Sequence, residues 1–115
     1  MPSKPAETYL RDILYHIDLA VEFVAGLDYA VFHDDLRTVY GVTRCLETIS
    51  EASRRLPADL KARHPSIAWK KMAGAGNIYR HDYEDVAAHY VRDTVKRDLP
   101  DLRIVIEREL TRASP

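Results

Sequence analysis

Two runs of apolar residues returning every three or four positions constrain this chain more than any other feature. The first, residues 6–27, carries Leu10, Ile13, Leu14, Ile17, Val21 and Val24. The second, opened by Asp34 or Asp35 and closing near Leu56, carries Leu36, Val39, Val42, Leu46, Ile49, Ala52 and Leu56. Steps of three and four place such residues on one face of a helix, because the α-helix turns once in about 3.6 residues. Each run is therefore read as a long amphipathic helix that must bury its stripe. Gly26 supplies a stop for the first, and an Asp at residue 34 or 35 an N-cap for the second.

The stretch 27–33 reads as a connection, with Tyr29 and Phe32 as anchors into the core. Residues 57–62 suggest a short helix opened by Pro57 and broken at His64-Pro65. Ser66 is a candidate cap for a further helix bearing Ile67, Trp69, Met72 and Ala73, where Gly74 and Gly76 then weaken helicity. Another helix is expected from Glu84 to Asp98, with Val86, Tyr90, Val91 and Val95 inward. Pro100 opens the last, through Leu102, Val105, Ile106 and Leu110. No alternation of strand type persists, so the expected fold is all-α: an antiparallel helical bundle of two long helices with three or four shorter ones. At 115 residues this is a single domain spanning 1–115.

The net charge of −1 excludes a global cationic field for nucleic acid, leaving only a local patch. The lone Cys45 excludes an intramolecular disulfide and a cysteine zinc cage, and its place in a helix suggests a buried, inert thiol. The N-terminus reads as no signal peptide, and apolar runs are too short to span a bilayer. A cytoplasmic protein without a membrane partner is the resulting expectation.

Chemistry concentrates in residues 69–86, WKKMAGAGNIYRHDYEDV. Asn77, Arg80, His81, Asp82 and Tyr83 cluster after two glycines, with Lys70 and Lys71 upstream. These are the parts of a phosphodiester site that needs no metal or other cofactor. A histidine titrating near neutrality can move a proton in either direction. Arginine and lysine can hold a phosphate and neutralise charge developing on it. Asparagine can fix a hydroxyl or orient the imidazole. The same residues also fit a solvated helix end, and Trp69 at helical spacing fits a core position as well as a base-stacking one. Arg54, Arg55, Lys61, Arg63, Lys70, Lys71, Arg80, Arg92, Lys96 and Arg97 gather in the second half of the chain among interspersed acids; they fit solvated helix faces, and doubled across a dimer they can form a local cationic groove for RNA.

The segment resembles the signature of HepT-like proteins of the HEPN superfamily, with Trp69, Lys70, Gly74, Asn77, His81 and Tyr83 in register. Tyr9-Leu10-Arg11-Asp12-Ile13-Leu14, the connection from Gly26 to Phe32, Arg54-Arg55-Leu56-Pro57, His64-Pro65 and Asp98-Leu99-Pro100 extend the resemblance over nearly the whole chain. It implies the toxin of a toxin–antitoxin pair: a homodimeric ribonuclease whose two motifs face each other across one cleft. There, a ribose 2′-hydroxyl of the RNA substrate attacks the adjacent phosphate without metal. It also implies a nucleotidyltransferase antitoxin of the MntA type, which silences the toxin by transferring AMP to the tyrosine after the histidine, here Tyr83.

One departure bears on activity. The family's arginine, five residues before the histidine, is Gly76 here, and glycine has no side chain to offer a phosphate. Arg80 can substitute, since on a continuous helix positions 76 and 80 lie one turn and about 40° apart. Lys70, Lys71 or the partner subunit can supply the cation instead. Alternatively the site is dead, and the chain is a module that binds RNA or an antitoxin. On the active reading His81 is the acid/base, Arg80 the phosphate ligand and Asn77 the orienting group. Tyr83 then lines the cleft or receives AMP, and Lys70 and Lys71 assist binding.

Overall fold

The computed structural model describes residues 4–74 and 84–113, except for the side chains of residues 4, 5, 84–87 and 113. Every regular element among them is a helix. In chain order these are α1 (Lys4–Val24), α2 (Tyr29–Asp34), α3 (Leu36–Arg54), α4 (Ala58–Ala62), α5 (69–74), α6 (Glu84–Arg97) and α7 (Leu99–Ala113).

The two long stripes meet each other. In α1 the buried residues are Ala6, Leu10, Ile13, Ile17, Ala20 and Val24, alternating steps of four and three. In α3 the series Val42, Leu46, Ile49, Ser53 repeats those steps and Leu56 continues them beyond the helix end, all buried. A strict four–three alternation makes a narrow seam suited to nearly aligned helices. The pair runs antiparallel: the Phe23 ring lies over Gly41, and the Arg55 guanidinium stands 5.9 Å from the centre of the Tyr9 ring. The seam corrects two expected core positions. Ala20, not Val21, takes the inward place, leaving Val21 44% exposed, and Leu36 in the first turn of α3 is 51% exposed. Alanine at the seam lets the backbones approach where valine would hold them apart. A fully buried Leu or Ile contributes about 1.5–3 kcal/mol by leaving water, so this one stripe is a main source of stability.

A second correction concerns the expected connection at 27–33, part of which is helix α2. Asp28 makes it possible: its carboxylate accepts from the Val31 N–H at 2.9 Å, satisfying a donor at the helix start. Phe32 is fully buried, as an anchor should be. Asp35 caps α3, accepting from the Thr38 N–H at 3.3 Å and the Thr38 hydroxyl at 2.7 Å. Those bonds favour the charged form and hold Asp35 below the usual carboxylate range, the hydroxyl contributing most. Gly26, at φ +75°, lets the chain leave α1 through a left-handed turn that other residues adopt only at a cost.

α7 lies along α1, and α6 closes the bundle against α2, α3 and α7. Ala88, Val91 and Val95 of α6 and Leu99, Leu102, Val105 and Ile106 of α7 complete the core, together with buried Cys45, whose thiol pKa is pushed up by burial. Tyr90, expected inward, is only partly buried, and the Val86 side chain lies outside the described residues. Helix α5 begins at residue 69, three positions after the expected cap Ser66. No helix is long and apolar enough to cross a membrane among the described residues.

Candidate nucleic-acid site

In the chain, most of the chemistry-bearing segment falls between the end of α5 and the start of α6. Asn77, Arg80, His81 and Tyr83 lie outside the described residues, as does Gly76. What the structure describes is the scaffold on either side of them.

Helix α5 is short, yet it is held at both ends. At its start the Trp69 indole N–H is shared between two carbonyls, Lys61 at 3.0 Å and His64 at 3.1 Å. The ring itself packs partly buried on the core, which favours the core reading of Trp69 over an exposed stacking platform. Ile67 before the helix and Met72 within it are buried. Near its end the Ala73 carbonyl accepts from the Ser50 hydroxyl at 2.9 Å and from the Arg54 guanidinium at 2.5 Å. Both donors belong to α3, and Ser50 is itself only 1% exposed. A carbonyl near a helix end lacks a partner within its own helix, and these two donors satisfy it and tie the end of α5 to α3.

On the returning side, the His89 ring meets Tyr29 of α2 edge-to-face at 5.6 Å between centres. Arg92 reaches the Leu27 carbonyl at 3.5 Å. Helix α6 thereby leans on the α1–α2 connection, giving the residues flagged there by sequence a structural use.

Lys70 and Lys71, the two candidate substrate ligands among the described residues, are both exposed. Consecutive helical positions point about 100° apart, so the two are not equivalent. Lys71 pairs with Asp98 at 3.3 Å across a pocket of about 120 Å³ lined by Ile67, Met72, Tyr90 and Thr94. Binding a phosphate with Lys71 therefore means breaking or sharing that pair.

Half of the ten basic residues noted in the sequence are tied to carboxylates within one protomer. Arg54 and Arg55 both bond Glu51, Arg97 pairs with Asp93 at 3.0 Å, and Arg63 is committed to Glu109. Glu51 is held below the usual range by the two arginines, Arg54 first. For Arg54, Arg55 and Arg97 the neutralising carboxylate lies one helical turn away, a consequence of i, i+3 and i, i+4 spacing that a list of basic residues conceals.

The most buried charge was not anticipated. Glu109 of α7 is 2% exposed, and accepts from Arg63 Nη2 at Oε1 (2.7 Å) and from Arg63 Nε at Oε2 (3.3 Å), with His64 Nε2 2.6 Å from the same Oε2. Arg63, followed by His64, holds the Glu109 carboxyl below its ordinary value against the opposing effect of burial. A signal existed in the sequence: Leu102, Val105, Ile106 and Glu109 share one helical face, so a glutamate occupies an apolar stripe. Among the described residues no group of three or more His, Cys, Asp or Glu side chains could hold a metal ion.

A small all-helical bundle, with a histidine- and arginine-bearing stretch between two braced helices in its sequence, is consistent with a HEPN-type domain. The chain belongs to the Ribonuclease HepT-like family, which it matches over residues 13–109. It is 38% identical over 100 residues to a protein of Thermococcus cleftensis named "Probable ribonuclease HepT", covering 87% of this chain and 91% of that one. It is 32% identical over 108 residues to each of two Methanocaldococcus jannaschii proteins named as candidate RNases, covering 94% of this chain and 93% and 89% of theirs. No solved structure matches the chain.

Proposed function

We propose that this protein is a metal-independent endoribonuclease, the HepT-like toxin of a toxin–antitoxin pair. The observation that carries the reading is membership of the family over residues 13–109 together with retention of Asn77, His81 and Tyr83 in the family's register. His81 takes the proton of a ribose 2′-hydroxyl as its oxygen attacks the adjacent phosphorus. The 5′-oxygen leaves and is protonated, giving a 2′,3′-cyclic phosphate and a free 5′-hydroxyl. Arg80 contacts the non-bridging oxygens, Asn77 orients the imidazole or the hydroxyl, and Lys70 and Lys71 hold flanking phosphates. The working unit is a homodimer with both motifs in one cleft. A nucleotidyltransferase antitoxin silences it by joining AMP from ATP to the Tyr83 hydroxyl and releasing pyrophosphate, which places a bulky anion where RNA must bind.

A second reading, a dimer that binds RNA or an antitoxin without cleaving it, is favoured by Gly76 in place of the family's arginine. Cleavage of RNA by the purified protein, beside His81→Ala and Arg80→Ala, separates the two. On the nuclease reading either substitution removes cleavage. On the binding reading wild type is inert, and Gly76→Arg creates activity by restoring a contact worth roughly 10² to 10³ in rate. Inertness of wild type and Gly76→Arg alike overturns the nuclease assignment.

A further inference from the structure

Glu109 stands on α7, far in sequence from Trp69, yet its bonds lead there. It receives Arg63 and His64, which follow α4 directly. The carbonyl of that same His64 is one of the two acceptors of the Trp69 indole, and Lys61, two residues before Arg63, supplies the other. Trp69 is the first residue of α5, and α5 carries Lys70, Lys71 and Gly74. Arg63 also faces Asp59 at 3.6 Å, so the α4 end of the chain of contacts is itself braced.

Burying ionised groups costs solvation that their mutual attraction does not generally exceed, so apolar residues would serve stability as well. What such a pair supplies is one allowed geometry. We infer that the Glu109–His64 contact, relayed through the Trp69 indole, is a positioning device that sets the axial rotation and height of α5. It thereby fixes the backbone of α5 up to Gly74, seven residues before His81 in the chain. Glu109, His64 and Trp69 are positioning residues and touch no substrate. The inference rests on the ribonuclease reading for its effect on rate, but not for its effect on structure.

The test pairs Glu109→Gln, which keeps the shape and removes the charge, with Trp69→Phe, which keeps a ring and removes the indole N–H. In RNA cleavage each lowers kcat by about 10- to 100-fold, the scale of a small misplacement of reacting groups, and leaves KM within about twofold. The double variant is no worse than the more severe single one, because both cut the same relay. A structural readout runs in parallel: the His81 imidazole resonance shifts in both variants. It stays fixed in Arg103→Gln, which breaks a comparably long-range but exposed pair with Asp18 (2.7 Å). Should Glu109→Gln fail to fold, Trp69→Phe carries both measurements alone. Unchanged kcat with an unmoved His81 resonance overturns the inference, as do losses that multiply in the double variant. Absence of cleavage from wild type while the resonance shifts defeats the ribonuclease reading and leaves the positioning intact.

Discussion

At the residue scale, the clearest lesson is how much a single buried carboxylate reveals about its surroundings. Glu109 is stabilised in its charged form by Arg63 and His64, and its folded pKa lies below the ordinary value of 4.5. A depressed carboxylate contributes stability that is fully present above the unfolded pKa and is lost as pH falls through the folded one. Wild type is therefore expected to melt higher than Glu109→Gln at about pH 7, and this gap is expected to shrink steadily below the ordinary glutamate value of 4.5. Thermal denaturation of both proteins across that range is the check, and a gap that stays constant under acid contradicts the assignment. The glycines offer a contrast. Gly26 stands at φ +75° with open space around it, so Gly26→Ala is strained by the backbone alone. A cost of about 1–2 kcal/mol is expected. Gly74 also has open space where a Cβ would go, and its φ is not in the left-handed region. Gly74→Ala is expected to be neutral or to stabilise by up to about 1 kcal/mol. Urea unfolding of both variants decides, and a destabilised Gly74→Ala would show that this glycine has a structural task.

At the scale of elements, the long helices were legible because each offers enough turns for periodicity to declare itself. The stripes from Leu10 to Val24 and from Val39 to Leu56 both proved to be the main seam, although the exact phase was not visible. Choosing Ala20 over Val21 depends on how closely two backbones approach, and a single helix does not encode that distance. Helix α2 escaped notice for a different reason. Six residues make fewer than two turns, too few for a stripe, and its start rests on the Asp28 cap rather than on any pattern. Helix α5 was expected but begins later than its expected cap Ser66 implies, since its setting comes from α3 and from the loop after α4. Removing the α3 grip provides a test at this scale. Ser50→Ala deletes a buried donor to the Ala73 carbonyl, while Arg54 still reaches it at 2.5 Å. Because one partner remains, Ser50→Ala is expected to cost only about 1 kcal/mol, and Ser50→Ala with Arg54→Ala clearly more than the sum of the two singles. Strict additivity in chemical denaturation would show that the two donors do not share one task.

At the scale of the whole molecule, sequence gave the fold class and the family resemblance, whereas the electrostatic surface needed the structure. Basic residues that read as one groove turn out to be tied to Glu51, Asp93, Asp98 and Glu109. With a net charge of −1 and Arg54, Arg55, Arg63, Lys71 and Arg97 engaged by carboxylates, one protomer offers a limited set of phosphate ligands. If Lys70, Lys71 and Arg80 are the ligands, RNA binding releases about three counterions per protomer, and log K falls against log salt with a slope near −0.7 for each on single-stranded RNA. A slope of about −2 is expected for a monomer and about −4 for a dimer whose motifs share one cleft. Such a dimer should bury on the order of 1,200 Å² or more and persist in sedimentation at micromolar concentration. Titrating an RNA onto His81→Ala, which on the proposed mechanism does not turn it over, at several salt concentrations measures the slope directly. Lys70→Gln removes one ligand from each protomer and should flatten the dimer's slope by about 1.4. Lys71→Gln should flatten it less, because Lys71 must first give up Asp98, at 3.3 Å, to reach a phosphate. A slope near zero would mean that RNA is not held through these residues. A dimer with the monomer's slope would mean that its two motifs do not meet over one strand.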